Sequence, residues 1–217
     1  MKIVLTKDGS NTIFLENIGE FYHSPRGAIS ESKYVFIENG IGFFLNKNPQ
    51  KKISILEIGL GTGLNAFLSM LYAEENEIKI NYHSIEKYPI PNDINKQLNY
   101  SEINLKKFID IIDAEWNKSI ELSPYFNLYK EEIDIKDFDS NNHFDIVFFD
   151  AFAKAKQEEM WNDELLMKIL NLIKSKGIFV SYAAISTLNK LLKENNFILH
   201  KRKGALGKRE MTLAEKD

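Results

Sequence analysis

Cysteine is missing from the 217 residues, which excludes disulfides and thiolate metal sites. A reducing, cytoplasmic setting suits that composition. Long apolar runs are missing too: none approaches the roughly 18 residues of a membrane helix, so no membrane partner is expected. The opening residues, Met1-Lys2-Ile3-Val4-Leu5-Thr6-Lys7-Asp8, turn polar too early for a secretory signal peptide. Histidine is scarce. His23, His83, His143 and His200 stand far apart without ligand spacing, and no metal is expected. A strong charge of one sign is also lacking. The formal net charge of -3 counts against a protein that grips nucleic acid over its whole surface.

What is present is ordinary for a globular chain, with 44% hydrophobic and 27% charged residues. The length suits one domain with a decorated core. Apolar residues at 3–5 and 12–15 flank Asp8-Gly9-Ser10-Asn11 and predict an N-terminal hairpin. Residues 30–45 carry apolar positions at helical spacing, and Gly40 and Gly42 are expected to break or end that helix. From residue 53 strands and helices alternate. Strands are predicted at 53–58, 78–86, 126–133, 144–150 and 177–182, and helices at 64–73, 103–116, 159–173 and 186–195. Two last strands, 197–200 and 210–214, are too close for a crossover helix and should be antiparallel. Residues 1–48 therefore read as a hairpin and helical extension packed on the core. Residues 49–217 read as a Rossmann-like α/β domain with a mostly parallel sheet and a C-terminal antiparallel hairpin.

Glu57-Ile58-Gly59-Leu60-Gly61-Thr62-Gly63 follows the first core strand. In an open parallel sheet that position faces the ligand crevice. Alternate glycines let the backbone turn sharply and a ligand come close. Leu64 departs from the dinucleotide fingerprint, and Gly63-Leu64-Asn65 lacks the Gly-Lys pair of a phosphate loop. Glu57 also disfavours phosphate and suits a ligand carrying an ammonium and a sulfonium. Glu86, at the end of the second strand, suits the hydroxyls of a ribose. Asp134 suits an adenine amino group, with Glu131, Glu132 and Asp137 as neighbours that compete for that role. The candidate cofactor residues are thus Glu57, Gly59, Gly61, Gly63, Asn65, Glu86 and Asp134. Together with the sheet pattern they outline a class I S-adenosylmethionine-dependent methyltransferase fold.

Asp150 ends a buried strand and opens on the same crevice, followed by Ala151-Phe152-Ala153. A carboxylate there can hold an amine, take its proton and aim its lone pair, whereas Phe152 can stack on a base. The bland alternative for Asp150 is a helix N-cap. His200-Lys201-Arg202-Lys203 and Lys208-Arg209 form a basic segment that reads either as a solvated edge or as an RNA contact.

Several motifs in order resemble one bacterial family, the tRNA 5-methylaminomethyl-2-thiouridine methyltransferases. They are Tyr22-His23-Ser24-Pro25-Arg26-Gly27-Ala28 with Glu31-Ser32-Lys33-Tyr34, the glycine loop, and Tyr82-His83-Ser84-Ile85-Glu86-Lys87-Tyr88-Pro89. Asp150-Ala151-Phe152-Ala153 with Met160-Trp161, and Gly207-Lys208-Arg209-Glu210-Met211, complete the set. The resemblance implies methylation, by S-adenosylmethionine, of the amine of 5-aminomethyl(-2-thio)uridine at the tRNA wobble position. It places Asp150 at the reacting amine, and Tyr22, Ser24 and Glu31 near the methyl donor or substrate. Lys208 and Arg209 are placed near RNA phosphates. It also implies no fused flavin oxidase within these residues. Two other readings compete. One is a transferase acting on a free small amine, akin to aminopropyltransferases. The other is a non-catalytic RNA-binding module with a vestigial pocket.

Overall fold

The computed structural model describes residues 1–217 apart from the side chain of Ser101. The chain opens with antiparallel strands β1 (Lys2–Leu5) and β2 (Asn11–Leu15), and the two-residue β3 (Glu20–Phe21) pairs with β2. The β1–β2 turn reaches forward to the next helix. Ser10 Oγ accepts from the amides of Ala28 (3.1 Å) and Ile29 (3.2 Å), and Asp8 Oδ2 accepts from Ser30 (2.9 Å). First-turn amides have no partner within their own helix, so the hairpin supplies the cap.

That helix runs as α1 (Ala28–Ser32), a π-helical stretch (Lys33–Gly42) and α2 (Phe43–Lys47). The expected break at Gly40 and Gly42 does not occur. A Cβ on Gly40 would stand 2.9 Å from the Phe148 ring, so the missing side chain lets the helix lie against the sheet. Tertiary packing outweighs the poor helix propensity of glycine.

The remaining elements follow in alternation. They are β4 (Lys52–Ile58), α3 (Leu64–Glu75), β5 (Lys79–Glu86), α4 (Asn92–Asn95), α5 (Leu105–Asp113), β6 (Lys118–Ser123), β7 (Phe126–Glu132) and β8 (Phe144–Phe149). Next come α6 (Asp163–Asn171), β9 (Ile173–Ser181), α7 (Ser186–Glu194), β10 (Phe197–Leu199) and β11 (Thr212–Lys216). The expected helix at 159–173 is split: a 3-10 turn (Glu158–Trp161) precedes α6, and Ile173 already belongs to β9.

The eight-stranded sheet has the order β10-β11-β9-β8-β4-β5-β7-β6. Its five middle strands, β9, β8, β4, β5 and β7, run parallel, and β11 lies antiparallel between β9 and β10. The other edge carries a second antiparallel pair, β6 with β7, which the sequence pattern did not reveal. One face packs Phe36, Phe67, Phe108, Tyr82 and Phe148 under the first helix, α3 and α5. The opposite face packs Val147, Phe149 and Phe179 against α6 and α7. The core continues without interruption from residues 1–48 into 49–217, since Ile13, Val35 and Phe36 share a cluster with Ile55 and Phe148. Strand succession reverses between β4 and β8, which opens the crevice where ligands bind in such sheets.

Candidate active site

A cavity of about 960 Å³ lies at the carboxyl ends of β4, β5 and β8, roofed by the segment around Leu15 to Pro25. The glycine loop forms one wall. Gly59 has φ +94°, and a Cβ there would stand 2.9 Å from the carbonyl oxygen of Asp150. Asp150 N donates to Ile58 O (3.0 Å), so the two strand ends are joined where the order reverses. Gly61 has φ +50°, and a Cβ would meet the Tyr22 ring at 2.9 Å. Both positions demand glycine for conformation and for space. This cradle is the feature that fits a close-lying adenosyl ligand.

Glu86 stands beside the loop. Its Oε2 accepts from Gly61 N (3.1 Å) and its Oε1 from Tyr88 N (2.9 Å). Burial pushes its pKa up, and those backbone donors oppose the rise. Asp134 lines the same end, paired with Lys87 at 2.7 Å. Burial disfavours its charge, but the Lys87 hydrogen bond and the Lys136 amide outweigh that and hold its pKa below the ordinary value. Of its competitors, Glu131 is committed to His83 (2.8 Å), whereas Glu132 and Asp137 are exposed.

Glu57, Gly63 and Asn65 do not line the cavity. Glu57 lies wholly buried in the middle of the sheet, and the space a Gly63 side chain would enter is bounded by Ile111 and Ile112 of α5. Each of the three faces the interior beneath the loop. Asn65 instead reaches Asp150: its Nδ2 donates to Asp150 Oδ2 at 2.8 Å.

Asp150 does not cap a helix. The next helical turn begins at Glu158, and Asn162 caps α6. Burial pushes the Asp150 carboxyl up to about 7; the Asn65 hydrogen bond opposes this, the charge of Glu31 adds to it, and Lys208 opposes it again. Phe152 stands edge-on to Tyr22 at 5.1 Å. Gln157 Oε1 accepts from its amide (3.1 Å), and Trp161 Nε1 donates to its carbonyl (2.9 Å). Tyr182 OH donates to Ala151 O at 3.0 Å. Trp161 and Tyr182 thus hold the backbone of the Asp150-Ala151-Phe152 turn.

Glu31 completes this end. Its Oε2 accepts from Ser24 N (2.9 Å) and its Oε1 from Lys208 Nζ (2.5 Å). The Lys208 ammonium also lies 4.7 Å from the centre of the Tyr182 ring. Lys208 thus lines the cavity, held by a buried carboxylate and an aromatic face, and it also borders the shallow depression beside Arg209. Arg209 is exposed and lies outside the main cavity, in a shallow depression bordered by Ala183, Ala184 and Glu210. Lys201 and Lys203 are exposed on the same connection.

His23 was not singled out by spacing, yet its Nε2 lies 2.8 Å from Thr62 Oγ1 of the glycine loop. Burial lowers its pKa to about 4 against the attraction of Glu31, so the ring is neutral at pH 7. The pair is separated by 39 residues, and no local pattern announces it. The cavity thus joins two chemical surfaces. One presents glycine backbone and a carboxylate suited to a diol, and the other presents two carboxylates, an ammonium and aromatic edges.

Residues 95–217 match the model of a family described as S-adenosyl-L-methionine-dependent methyltransferase. Similar curated proteins include the tRNA 5-methylaminomethyl-2-thiouridine biosynthesis bifunctional protein MnmC of Leptospira interrogans serogroup Icterohaemorrhagiae serovar copenhageni. It is 30% identical over 97% of this chain and 34% of its own length. The protein of the same name from Campylobacter hominis is 29% identical over 93% of this chain and 31% of its own. The chain spans about a third of the length of the curated relatives it matches. The crystal structure of MNMC2 from Aquifex aeolicus superposes with a TM-score of 0.76 at 27% identity, covering 100% of this chain and 70% of that one. The sugar N-methyltransferase KedS8 from a Streptoalloteichus species shares the fold, with a TM-score of 0.51 at 11% identity over 86% of this chain and 87% of its own. Glycine cradle, sheet order and family match agree: the chain belongs to the S-adenosyl-L-methionine-dependent methyltransferase family and has its class I α/β fold.

Proposed function

We propose that this chain methylates the amine nitrogen of 5-aminomethyl(-2-thio)uridine at the wobble position of tRNA, in the cytoplasm. The observation that carries the reading is the Asp150 carboxyl, which lines the cavity beside the glycine loop and which burial pushes up to about 7. The relatives named for 5-methylaminomethyl-2-thiouridine biosynthesis support the same acceptor.

When bound, S-adenosylmethionine would supply an electrophilic methyl group carried on a sulfonium. The residues of the chain manage the acceptor. An aminomethyl group is mostly protonated at neutral pH, and only its neutral form has a lone pair. Asp150 and Glu31 attract the ammonium, and Asp150 is matched in pKa to take one proton from it. Phe152 and Tyr22 offer aromatic edges to the base. Gly59, Gly61, Glu86 and Asp134 hold the methyl donor, while Glu57, Gly63 and Asn65 support that wall from beneath. Tyr22, Ser24, Glu31, Phe152 and Lys208 shape the acceptor end, and Arg209 meets RNA outside it. Positioning for in-line displacement contributes more to the rate than base strength does.

Incubation with methyl-labelled S-adenosylmethionine and tRNA bearing 5-aminomethyluridine tests the proposal. Labelled 5-methylaminomethyluridine after digestion is expected. Label in free polyamines but none in that tRNA would move the activity to small amines.

A further inference from the structure

Three consecutive residues of the roof, 22–24, reach three different parts of the cavity wall. They belong to no helix or strand, so tertiary contacts hold them. Tyr22 lies over the glycine loop, where a Cβ on Gly61 would stand 2.9 Å from its ring, and it meets Phe152 edge-on at 5.1 Å. His23 Nε2 lies 2.8 Å from Thr62 Oγ1 of the same loop. Ser24 N donates to Glu31 Oε2 at 2.9 Å, and Glu31 in turn holds Lys208. The donor end and the acceptor end are thus joined through this segment. The joint at His23 is built on both sides. Thr62 is fully buried, and His23 is 9% exposed. His23 N donates to Thr12 Oγ1 at 3.0 Å, which fixes the backbone that carries the ring. Tyr100, whose hydroxyl donates to Asn11 O at 2.6 Å, stands edge-on to the imidazole at 6.5 Å. Thr62 is not among the residues that line the cavity, whereas its neighbour Gly61 is. The Thr62 hydroxyl therefore faces the protein rather than a ligand.

We propose that His23 is a positioning residue: through Thr62 it couples the glycine loop to the roof, so that a donor seated on the loop fixes Tyr22, Ser24 and Glu31 in the arrangement that receives the acceptor. This rests on the proposed function only in calling the Asp150 and Glu31 end the acceptor end. The pair suits the task. A neutral imidazole offers one donor and one acceptor, and a hydroxyl can answer either. Burial lowers the His23 pKa to about 4 against the attraction of Glu31, so the ring stays neutral and the tie holds across the neutral range. Parting the two groups leaves a buried polar atom without a partner, so the joint resists opening. Coupling of this kind is reciprocal: an acceptor that settles under the roof also steadies the loop under the donor.

The test follows amide hydrogen exchange of the full chain by mass spectrometry, with and without S-adenosylhomocysteine. In the parent, the ligand should slow exchange in peptides spanning residues 22–27 by about fivefold, the size of one net hydrogen bond. Thr62→Val removes the hydroxyl at nearly constant shape, and Thr62→Ser keeps it. The protection of 22–27 should vanish in Thr62→Val and persist in Thr62→Ser. Both should bind S-adenosylhomocysteine within about threefold of the parent, because neither changes a cavity-lining group. With an acceptor present, Thr62→Val should raise the acceptor's KM about fivefold and leave the donor's KM in place, and Thr62→Ser should restore the parent value. His23→Phe, which keeps a ring against Tyr100 but offers no hydrogen bond, replaces Thr62→Val should that variant not fold. No protection of 22–27 in the parent would leave the roof independent of the loop and overturn the proposal. Undiminished protection in Thr62→Val would assign it to direct contact with the ligand and overturn it equally. The exchange arm uses no methyl acceptor, so an error in the acceptor's identity shows in the tRNA assay and not here.

Discussion

Asp150→Asn separates stability from chemistry, because the raised Asp150 pKa opposes folding at neutral pH. The carboxyl moves from 3.8 to about 7 on folding. Between those values the native state holds more proton than the unfolded chain, so stability falls as pH rises and the whole penalty is present above pH 7. Each pH unit of displacement corresponds to about 1.4 kcal/mol, which bounds the penalty at about 4 kcal/mol. Asparagine keeps the shape and can still accept from Asn65, but it never ionises. Urea unfolding should therefore find Asp150→Asn more stable than the parent by roughly 2–4 kcal/mol at pH 8, with the gap closing toward pH 4. Methyl transfer should fall by about 10²–10⁴-fold in the same protein. In the parent, the rate should drop about tenfold per pH unit below 7 as Asp150 protonates. A stability gain that does not vary with pH, or none at pH 8, would show that Asp150 is not held in a desolvating site.

Three further outcomes are expected. Asp8→Asn should cost roughly 1–2 kcal/mol at pH 7, measured by denaturant unfolding, because Asp8 Oδ2 caps the first helix. Burial opposes its charge but bonds from Ser10, Thr6 and Ser30 outweigh this, so its pKa is depressed; the carboxylate's contribution is present above its ordinary value of 3.8 and lost as pH falls toward the folded one. Gly61→Ala should weaken S-adenosylmethionine binding by about tenfold or more in calorimetry, since its Cβ meets Tyr22 at 2.9 Å on a left-handed backbone. Arg209→Glu should weaken tRNA binding and flatten its dependence on log salt by about one, whereas Lys208→Met should lower turnover with little change in that slope. Equal salt slopes for both variants would return Lys208 to the RNA surface.

The elements legible in the sequence are those whose surroundings repeat along the chain. β4, β8 and most of β9 are buried on both faces and read as continuous apolar runs. The turn at Gly59 was legible because its backbone demand is local. β6 was not, since an edge strand of Lys118-Ser119-Ile120-Glu121 composition has no apolar face to betray it. Gly40 was misleading for the opposite reason: its purpose is a contact with Phe148, far away in the chain. Glu57 reads as a ligand residue in the sequence because an acid beside the glycines suits a cationic ligand. Only the packing of β4 between β5 and β8 reveals that it faces inward. Lys208 sits in a basic segment that imitates a solvated surface, and its carboxylate partner lies 177 residues earlier.

That separation has a kinetic meaning. The hydrogen bond between Glu31 and Lys208 spans 177 residues, and contacts of such long range are the slow ones to form. The glycine loop and Glu86, by contrast, are joined across two adjacent parallel strands and 25 residues. During folding the donor half of the cavity can therefore exist before the acceptor half. Activity, which needs Asp150, Glu31 and Lys208 together, is therefore expected to recover no earlier than cofactor binding when the chain is refolded.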